Sequence, residues 1–426
     1  MRRFLSIFMM LWWASLYAQD TLTIMQYNLL YYGQVTGFCN NSNNSLEMKD
    51  PYLQTILREL RPDVFTVNEL SKNEAIHDHL LEKLGEALPS KSFQRAASSN
   101  ISNSTIVNML YYNSRKLSLK AQYTAQTYIR DIDVYELYYN SDDLSYGDTA
   151  FLVCAVCHLK AGQGTSEANT RKIMVENTLR FLETRYEHSN VLFMGDFNFY
   201  TGFEQGFQLM LNYENPNMRF FDPIGQIGDW NNNSFYATIH TQSTNVAGGN
   251  CKAGGGMDDR FDLIMISDEI RFGTKDMRYI QETYKAIGQD GQRFKATING
   301  MPQNAVVSQE MADALFYMSD HLPVSMQIYV DKTLDLPVYY SPSLLASIIP
   351  NPVQHKAVVE YDGYVSGKVQ VSVFDLSGNK LFTQLVYLDT GTQRFELDLY
   401  HLRPGFYFLQ LTDDTKRTQT LKLIKL

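Results

Sequence analysis

The chain has 426 residues, 44% of them hydrophobic and 19% charged, with a formal net charge of −9. Domains run to roughly 100–200 residues, so this length accommodates two or three of them with ample core material. The acidic balance excludes a nucleic-acid binder that relies on a broad basic surface. It leaves open an enzyme that meets phosphate through a metal ion.

The N-terminus pairs Arg2 and Arg3 with an apolar run from Phe4 to Tyr17, and the small residue Ala18 precedes Gln19. This pattern predicts a secretory signal peptide over residues 1–18. A bilayer-spanning helix needs about 20 apolar residues, and no later stretch supplies them. The mature chain is expected to be exported, and soluble or held at the surface. Four cysteines remain. Cys154 and Cys157 lie three apart in one predicted strand, so they face opposite sides and read as buried free thiols. Cys39 and Cys251 sit in Asn- and Gly-rich loops. Export permits a bridge between them, and the sequence leaves that pairing open.

Thr21 to Asn28 reads as a strand that delivers Asn28 at its tip. A polar loop, 33–49, follows. Leu53, Ile56, Leu57 and Leu60 have helical spacing. Val64 to Leu70 is a second apolar strand carrying Asn68 and Glu69, and a helix is expected around Asn73 to Leu88. Ile106 to Tyr112, Leu117 to Tyr128 and Asp133 to Asn140 continue as strands. Phe151 to Val156 leads into His158. Glu167 to Glu187 reads as a long helix. Val191 to Met194 is a buried strand that Gly195 ends, with Asp196 and Asn198 just beyond. Phe203 to Leu211 reads as a helix. The Gly- and Asn-rich stretch 222–257 is a long loop, a kind that is usually functional. A strand runs from Asp259 to Ile266. The polar, mixed stretch 274–318 reads as surface structure. Ser319-Asp320-His321 precedes a last strand, Val324 to Val330.

Asn28, Glu69, His158, Asp196 with Asn198, Asp262 and Asp320-His321 thus stand at successive strand ends. Any one alone is ordinary turn chemistry or a structural histidine. Together they make an oxygen-rich set suited to Mg²⁺, Mn²⁺ or Ca²⁺. No Cys/His spacing typical of zinc is present.

These residues carry a resemblance. Tyr27-Asn28, Asn68-Glu69, His158-Leu159-Lys160, Gly195-Asp196-Phe197-Asn198, Arg260-Phe261-Asp262 and Ser319-Asp320-His321-Leu322-Pro323-Val324 follow one another as in the endonuclease/exonuclease/phosphatase superfamily, the fold of DNase I. The resemblance implies an α/β fold, a four-layer sandwich of two packed sheets with helices outside. It implies that Glu69, Asn28 and Asp320 hold a divalent cation, and that Asp196 and Asn198 position the attacking water and the phosphate. His321, oriented by Asp262, is implied as general base or cationic phosphate contact. His158 is implied as a donor to phosphate, and Arg130 as a further phosphate contact. One departure is Asn68, which stands where the family usually has glutamine.

Asp331 to Leu345 contains Pro337 and Pro342 and reads as a linker. From Ile348 the chain changes to short alternating strands with regular turns, a small all-β sandwich. Ile349-Pro350-Asn351-Pro352, Val373-Phe374-Asp375-Leu376-Ser377-Gly378-Asn379-Lys380 and Leu402-Arg403-Pro404-Gly405-Phe406-Tyr407 resemble the type A sorting domain of the type IX secretion system. The expected organisation is a signal peptide (1–18), a catalytic domain (19–331), a linker (332–347) and a sorting domain (348–426). The sorting domain's partner would be the outer-membrane secretion machinery of a Gram-negative bacterium, and the mature protein would be secreted or held at the cell surface. The expected function is that of a monomeric, metal-dependent phosphodiesterase, a nuclease acting on extracellular DNA or RNA. The alternatives are a sphingomyelinase-like, phosphoinositide or sugar phosphate hydrolase, and a non-catalytic adhesin on the same fold.

Overall fold

The computed structural model describes residues 20–249, 251–332, 345–363, 367–388, 391–413 and 418–426. The expected signal peptide and most of the expected linker lie outside them. The chain divides into two compact units, residues 1–336 and 337–426.

The first unit runs β1 (Asp20–Tyr32), α1 (Leu46–Leu60), β2 (Val64–Ser71), α2 (Glu74–Ala87), β3 (Phe93–Arg95), β4 (Ile106–Asn113), β5 (Leu117–Gln126) and β6 (Ile132–Tyr139). It continues with β7 (Phe151–His158), α3 (Thr165–Tyr186), β8 (Val191–Asp196), α4 (Gln205–Leu211), β9 (Phe220–Phe221) and β10 (Asp262–Ser267). Last come α5 (Asp268–Phe272), β11 (Met277–Tyr279), β12 (Lys285–Ala286), α6 (Gln309–Met318) and β13 (Val324–Val330). A seven-stranded sheet has the order β11-β13-β1-β2-β4-β3, with β12 also on β13. A six-stranded sheet has the order β5-β6-β7-β8-β10-β9.

Period-2 alternation makes the layers. In β7 and β8, Cys154, Val156, Leu192 and Met194 face the first sheet and join a core shared with Ile24 and Val64. Cys157, Phe193 and Val191 face the other way, against Met174, Leu179 and Leu182 of α3 and Phe207 of α4. Helices α1, α2 and α6 cover the outer face of the first sheet through Leu53, Leu57, Leu80, Leu84 and Leu315. Burying a side chain of this size contributes about 1.5–3 kcal/mol. The result is the expected four-layer α/β sandwich. Cys154 and Cys157 are buried free thiols, as their spacing implied, and Cys39 and Cys251 form a disulfide.

Three expectations are corrected. Val191–Asp196 stays a strand through Gly195, because that residue takes φ 144° and lies over Cys157; a Cβ there would fall 1.9 Å from Cys157 O. β1 continues past Asn28 to Tyr32 rather than stopping at it. The stretch 274–318 is structured: α6 is capped by Ser308, whose side chain accepts from Met311 N, and it buries Met311, Ala314, Leu315 and Met318. That helical spacing was readable but diluted by the polar residues around it.

The second unit contains β14 (Leu345–Ile349), β15 (Lys356–Gly363), β16 (Gly367–Phe374), β17 (Lys380–Leu388), β18 (Gly391–Asp398), β19 (Gly405–Asp413) and β20 (Thr418–Lys425). A β14-β15-β18 sheet and a β17-β16-β19-β20 sheet close on a core of Val359, Leu397, Val371, Leu409 and Leu423. Strand β14 begins inside the stretch read as linker.

Candidate active site

The site lies where β1, β2, β7, β8 and β10 end together. β1 and β2 run parallel with Asn28 beside Asn68, and the register shifts before Tyr32. Leu30, Tyr31 and Glu69 take positive φ values of 49°, 49° and 56°. Such backbone is strained for non-glycine residues and survives where surroundings over-determine it. Lys49 of α1 supplies part of that support: buried, its Nζ donates to Leu29 O (2.6 Å), Leu30 O (2.7 Å) and Asn44 Oδ1 (2.9 Å). The turn brings Tyr31 N to Glu69 Oε2 at 3.1 Å and Asn28 Nδ2 to Glu69 Oε1 at 3.1 Å.

The second sheet meets it from the other side. His158 and Asp196 are register partners, as are Asp262 and Asp196. Asn68 ties the sheets together: its Oδ1 accepts from Asp196 N (2.9 Å) and its Nδ2 donates to Cys157 O (3.0 Å). The shorter amide at this position therefore spans both layers. His158 Nε2 is 3.5 Å from Asp196 Oδ2 and 3.8 Å from Glu69 Oε1. Asn198, at φ 53°, donates its N–H to Asp196 Oδ1 at 3.1 Å. Arg130 is half-buried and donates to Leu159 O at 2.9 Å.

His321 Nδ1 stands 2.7 Å from Asp262 Oδ2, and its Nε2 lies 3.8 Å from Asp196 Oδ2 and 3.4 Å from Asn28 Nδ2. Asn28 Nδ2 also donates to Asp196 Oδ2 at 2.9 Å. Asp320 accepts Ala253 N at 2.8 Å on Oδ2. All of the residues named at the strand ends in the sequence thus converge on one largely buried polar cluster.

Burial sets their electrostatics. It pushes Asp196 up to about 7, against the lowering pull of His321. It raises Glu69, and the Asp320 carboxylate raises it further. It drives His158 well below its usual value, with the Arg130 and His321 charges adding to the effect, which favours the neutral imidazole. Burial would also lower His321, but the Asp262 and Asp196 carboxylates outweigh it and hold this residue well above its usual value. The charged ring is therefore favoured. The Gln242 amide nitrogen, 2.6 Å from His321 Nε2, suits a lone pair there; a half turn of that amide presents its oxygen and suits the charged ring instead.

The donor set fits a hard cation. Asp320 Oδ1 and Asp262 Oδ1 are buried and have no hydrogen-bond partner, and Glu69 is held beside Asp320 as a like charge. Uncompensated buried carboxylate oxygens of this kind are what a divalent ion satisfies. Among the described residues, the groups with ligand atoms within 4.8 Å of one another are Glu69–His158–Asp196 and Asp196–Asp262–His321. The grouping differs from the expected Asn28–Glu69–Asp320 set: Glu69 is joined by His158 and Asp196, and Asp320 falls in neither group. Asn28 gives its oxygen to Leu30 N at 3.0 Å and turns its nitrogen to the carboxylates, so it is a donor hub as it stands and a ligand only with the amide reversed.

The sequence reading missed Lys49, Thr241, Gln242 and Asp259. Thr241 Oγ1 accepts from Phe261 N and Asp262 N at 3.1 Å. Burial pushes Asp259 up to about 6. None lies in a motif: Lys49 reaches the site from α1, Thr241 and Gln242 from the 222–257 loop, and Asp259 from just before Arg260-Phe261-Asp262. The 222–257 loop and the 33–49 loop are joined by the Cys39–Cys251 bond, and they reach the site through Gln242 at His321, Ala253 at Asp320 and Lys49 at Leu30. They are less polar at the surface than expected, since Phe38 and Phe235 are 83% and 80% exposed.

Residues 347–426 match the family described as the secretion system C-terminal sorting domain. No curated protein matches the chain in sequence. Among solved structures, an endonuclease/exonuclease/phosphatase family protein from Bacteroides thetaiotaomicron is 13% identical, covering 74% of this chain and 97% of that one with a TM-score of 0.43. A mannosyl-6-phosphatase of the same organism is 13% identical over 72% of this chain and 99% of that one, TM-score 0.40. TDP2 of D. rerio, complexed with a single-strand DNA product, is 13% identical over 72% and 99%, TM-score 0.43. Among the described residues no helix is long and apolar enough to cross a membrane. Residues 347–426 thus carry a secretion system C-terminal sorting domain, which addresses the protein for export to the cell surface or beyond.

Proposed function

We propose that the first unit is a divalent-metal-dependent phosphoester hydrolase of the endonuclease/exonuclease/phosphatase type, and that its substrate is extracellular nucleic acid. The observation that carries this reading is the His321–Asp262 pair set against Asp196, with the unpartnered oxygens of Asp320 and Asp262 beside Glu69.

Glu69 and Asp320, with Asn28 reversed, would hold the cation, which supplies charge neutralisation at the scissile phosphate and at the leaving oxygen. The chain's own groups do the rest. Asp262 fixes the His321 ring through Nδ1 and leaves Nε2 facing the cluster. His321 contacts the phosphoryl group as a cation or takes a proton as a base. Asp196, poised near neutrality and fixed by Asn28 and Asn198, orients the attacking water. Neutral His158 donates to a phosphate oxygen without adding charge. Arg130, held by Leu159 O, faces the same anion. Each group is positioned by a strand end, so little reorganisation accompanies reaction.

Phe38 and Phe235, exposed on the loops that reach the site, favour a second substrate class, lipid phosphodiesters. The deciding experiment assays the full exported chain on plasmid DNA, RNA, sphingomyelin, phosphoinositides and sugar phosphates, with Mg²⁺ and with chelator. Metal-dependent cleavage of DNA or RNA is expected. Turnover confined to sphingomyelin or phosphoinositides would transfer the site to lipids, and turnover of none would leave an adhesin.

A further inference from the structure

We propose that Gln242 is a further catalytic residue, its side-chain amide binding the phosphoryl group alongside His321. The inference rests on the phosphoester-hydrolase reading and deepens it.

His321 has two ring nitrogens. Asp262 occupies Nδ1 at 2.7 Å, so Nε2 is the one available for chemistry, and Gln242 Nε2 stands 2.6 Å from it. Asp196, Asp262 and His321 are all buried, whereas Gln242 is half-buried. Of the groups around His321 Nε2, namely Asn28, Asp196 and Gln242, Gln242 is the most exposed.

The position is built rather than incidental. Gln242 N donates to Asp259 O at 3.1 Å, and Asp258 N and Asp259 N both donate to Gln242 O at 2.9 Å. Backbone bridges pair Gln242 with both Asp259 and His321. The neighbours on either side are tied to the catalytic motifs. Thr241 O accepts Leu322 N at 2.7 Å, and Thr241 Oγ1 caps the start of the Asp262 strand. Thr244 N donates to Asp320 O at 3.0 Å, and its Oγ1 donates to Ser319 O at 2.7 Å. The segment 241–244 is thus a strap between the Asp262 and the Asp320-His321 segments, and Gln242 is its half-exposed side chain at the cluster.

The chemistry suits an amide. The site already concentrates Glu69, Asp196, Asp262 and Asp320, so another anion would repel phosphate. A primary amide carries two N–H donors and no charge. One meets His321 Nε2; the second is then available to a non-bridging phosphoryl oxygen. With His321 charged and the amide turned, Oε1 accepts from the ring and both N–H groups serve the phosphate. Removing one preorganised donor to a developing oxyanion costs about 10²–10³-fold in turnover.

The test compares the full exported chain with Gln242→Ala and the near-isosteric Gln242→Glu. Bis(4-nitrophenyl) phosphate and 4-nitrophenyl phosphate serve as substrates with Mg²⁺ or Mn²⁺, and inorganic phosphate as a ligand followed by the imidazole resonances of His321. Gln242→Ala is expected to lose about 10²-fold in kcat, the lower end for one such donor, with smaller change in KM. It should bind inorganic phosphate more weakly and shift the His321 Nε2 resonance. Gln242→Glu should lose phosphate binding further, by repulsion. Both variants within about twofold of wild type in kcat and phosphate affinity, with His321 unshifted, would overturn the proposal. If Gln242→Ala does not fold, Gln242→Glu decides. A wild type inactive on both substrates counts against the hydrolase reading, while phosphate affinity and the His321 resonance still decide the role of Gln242.

Discussion

Asp262 Oδ2 lies 2.7 Å from His321 Nδ1 and both side chains are buried. The two residues stand 59 positions apart in the chain, so only the meeting of β10 with the Ser319–Leu322 segment makes them a pair. Burial alone would lower the His321 pKa; Asp262 is the first of the charges that reverse this. Asp262→Asn keeps the shape and removes the charge, so the His321 pKa should fall. With His321 working as a cation, activity is lost as pH rises through that pKa, and the loss should begin at lower pH in the variant. Turnover should drop by about 10²–10⁴-fold, the range for a lost acid–base element. The check is kcat/KM against pH; an unchanged profile would dismiss the pairing.

Glu69 and Asp320 repel each other in the absence of a counter-charge. A divalent ion that binds only the folded chain raises stability by mass action, about 2.7 kcal/mol at a hundredfold excess over Kd. Mg²⁺, Mn²⁺ or Ca²⁺ should raise the Tm of the wild type, and chelation should reverse the rise and abolish turnover. Glu69→Gln should lose most of the ion-dependent shift. Calorimetric melts with and without the ion test this; an equal shift in Glu69→Gln would place the ion elsewhere.

Asp133, buried on β6, is pushed up to about 8, by burial first and by the Asp131 charge second. Its pKa is raised on folding, so its stabilising contribution is fully present below the unfolded value, about 4, and is lost as pH rises through the folded one. Asp133→Asn cannot ionise. It should match the wild type near pH 4, become progressively the more stable towards pH 8, and hold a constant advantage above that. Chemical denaturation across this range measures the gap; a gap independent of pH would mean that the carboxyl is charged in the fold.

The Cys39–Cys251 bond closes a separation of 212 residues. Loss of a native disulfide typically costs about 2–5 kcal/mol. The bond also anchors the loop whose Ala253 N donates to Asp320. A Cys39→Ser/Cys251→Ser variant should therefore lose both Tm and divalent-ion affinity. A lower Tm with undiminished ion affinity would confine the bond to a role in stability.

Much of the site was legible because its signals are local. Val64–Leu70 and Val191–Met194 are apolar runs that announce buried strands, and each is followed or closed by Glu69 or Asp196 within a few residues. Gly195 marked the end of a strand in the sequence, yet the strand runs through it. What the glycine serves is a close approach to Cys157 O, which no pattern along the chain can show. Helix α6 was lost to a polar neighbourhood although Ser308 and the spacing of Met311, Leu315 and Met318 were in plain view.

By itself the sequence determined the alternation of strands and helices, the polar groups at the strand ends and the change to a second all-β unit, because periodicity and turn chemistry act over a few residues. The tertiary structure alone decided that Asn28 turns its nitrogen inward, that Lys49 braces the strained turn from beneath, that Cys39 meets Cys251, and that Gln242 stands on His321. Those relations join segments far apart in the chain. They depend on how two sheets pack and where long loops return, and the energy that fixes them comes from burial and hydrogen bonds made only once the layers have closed.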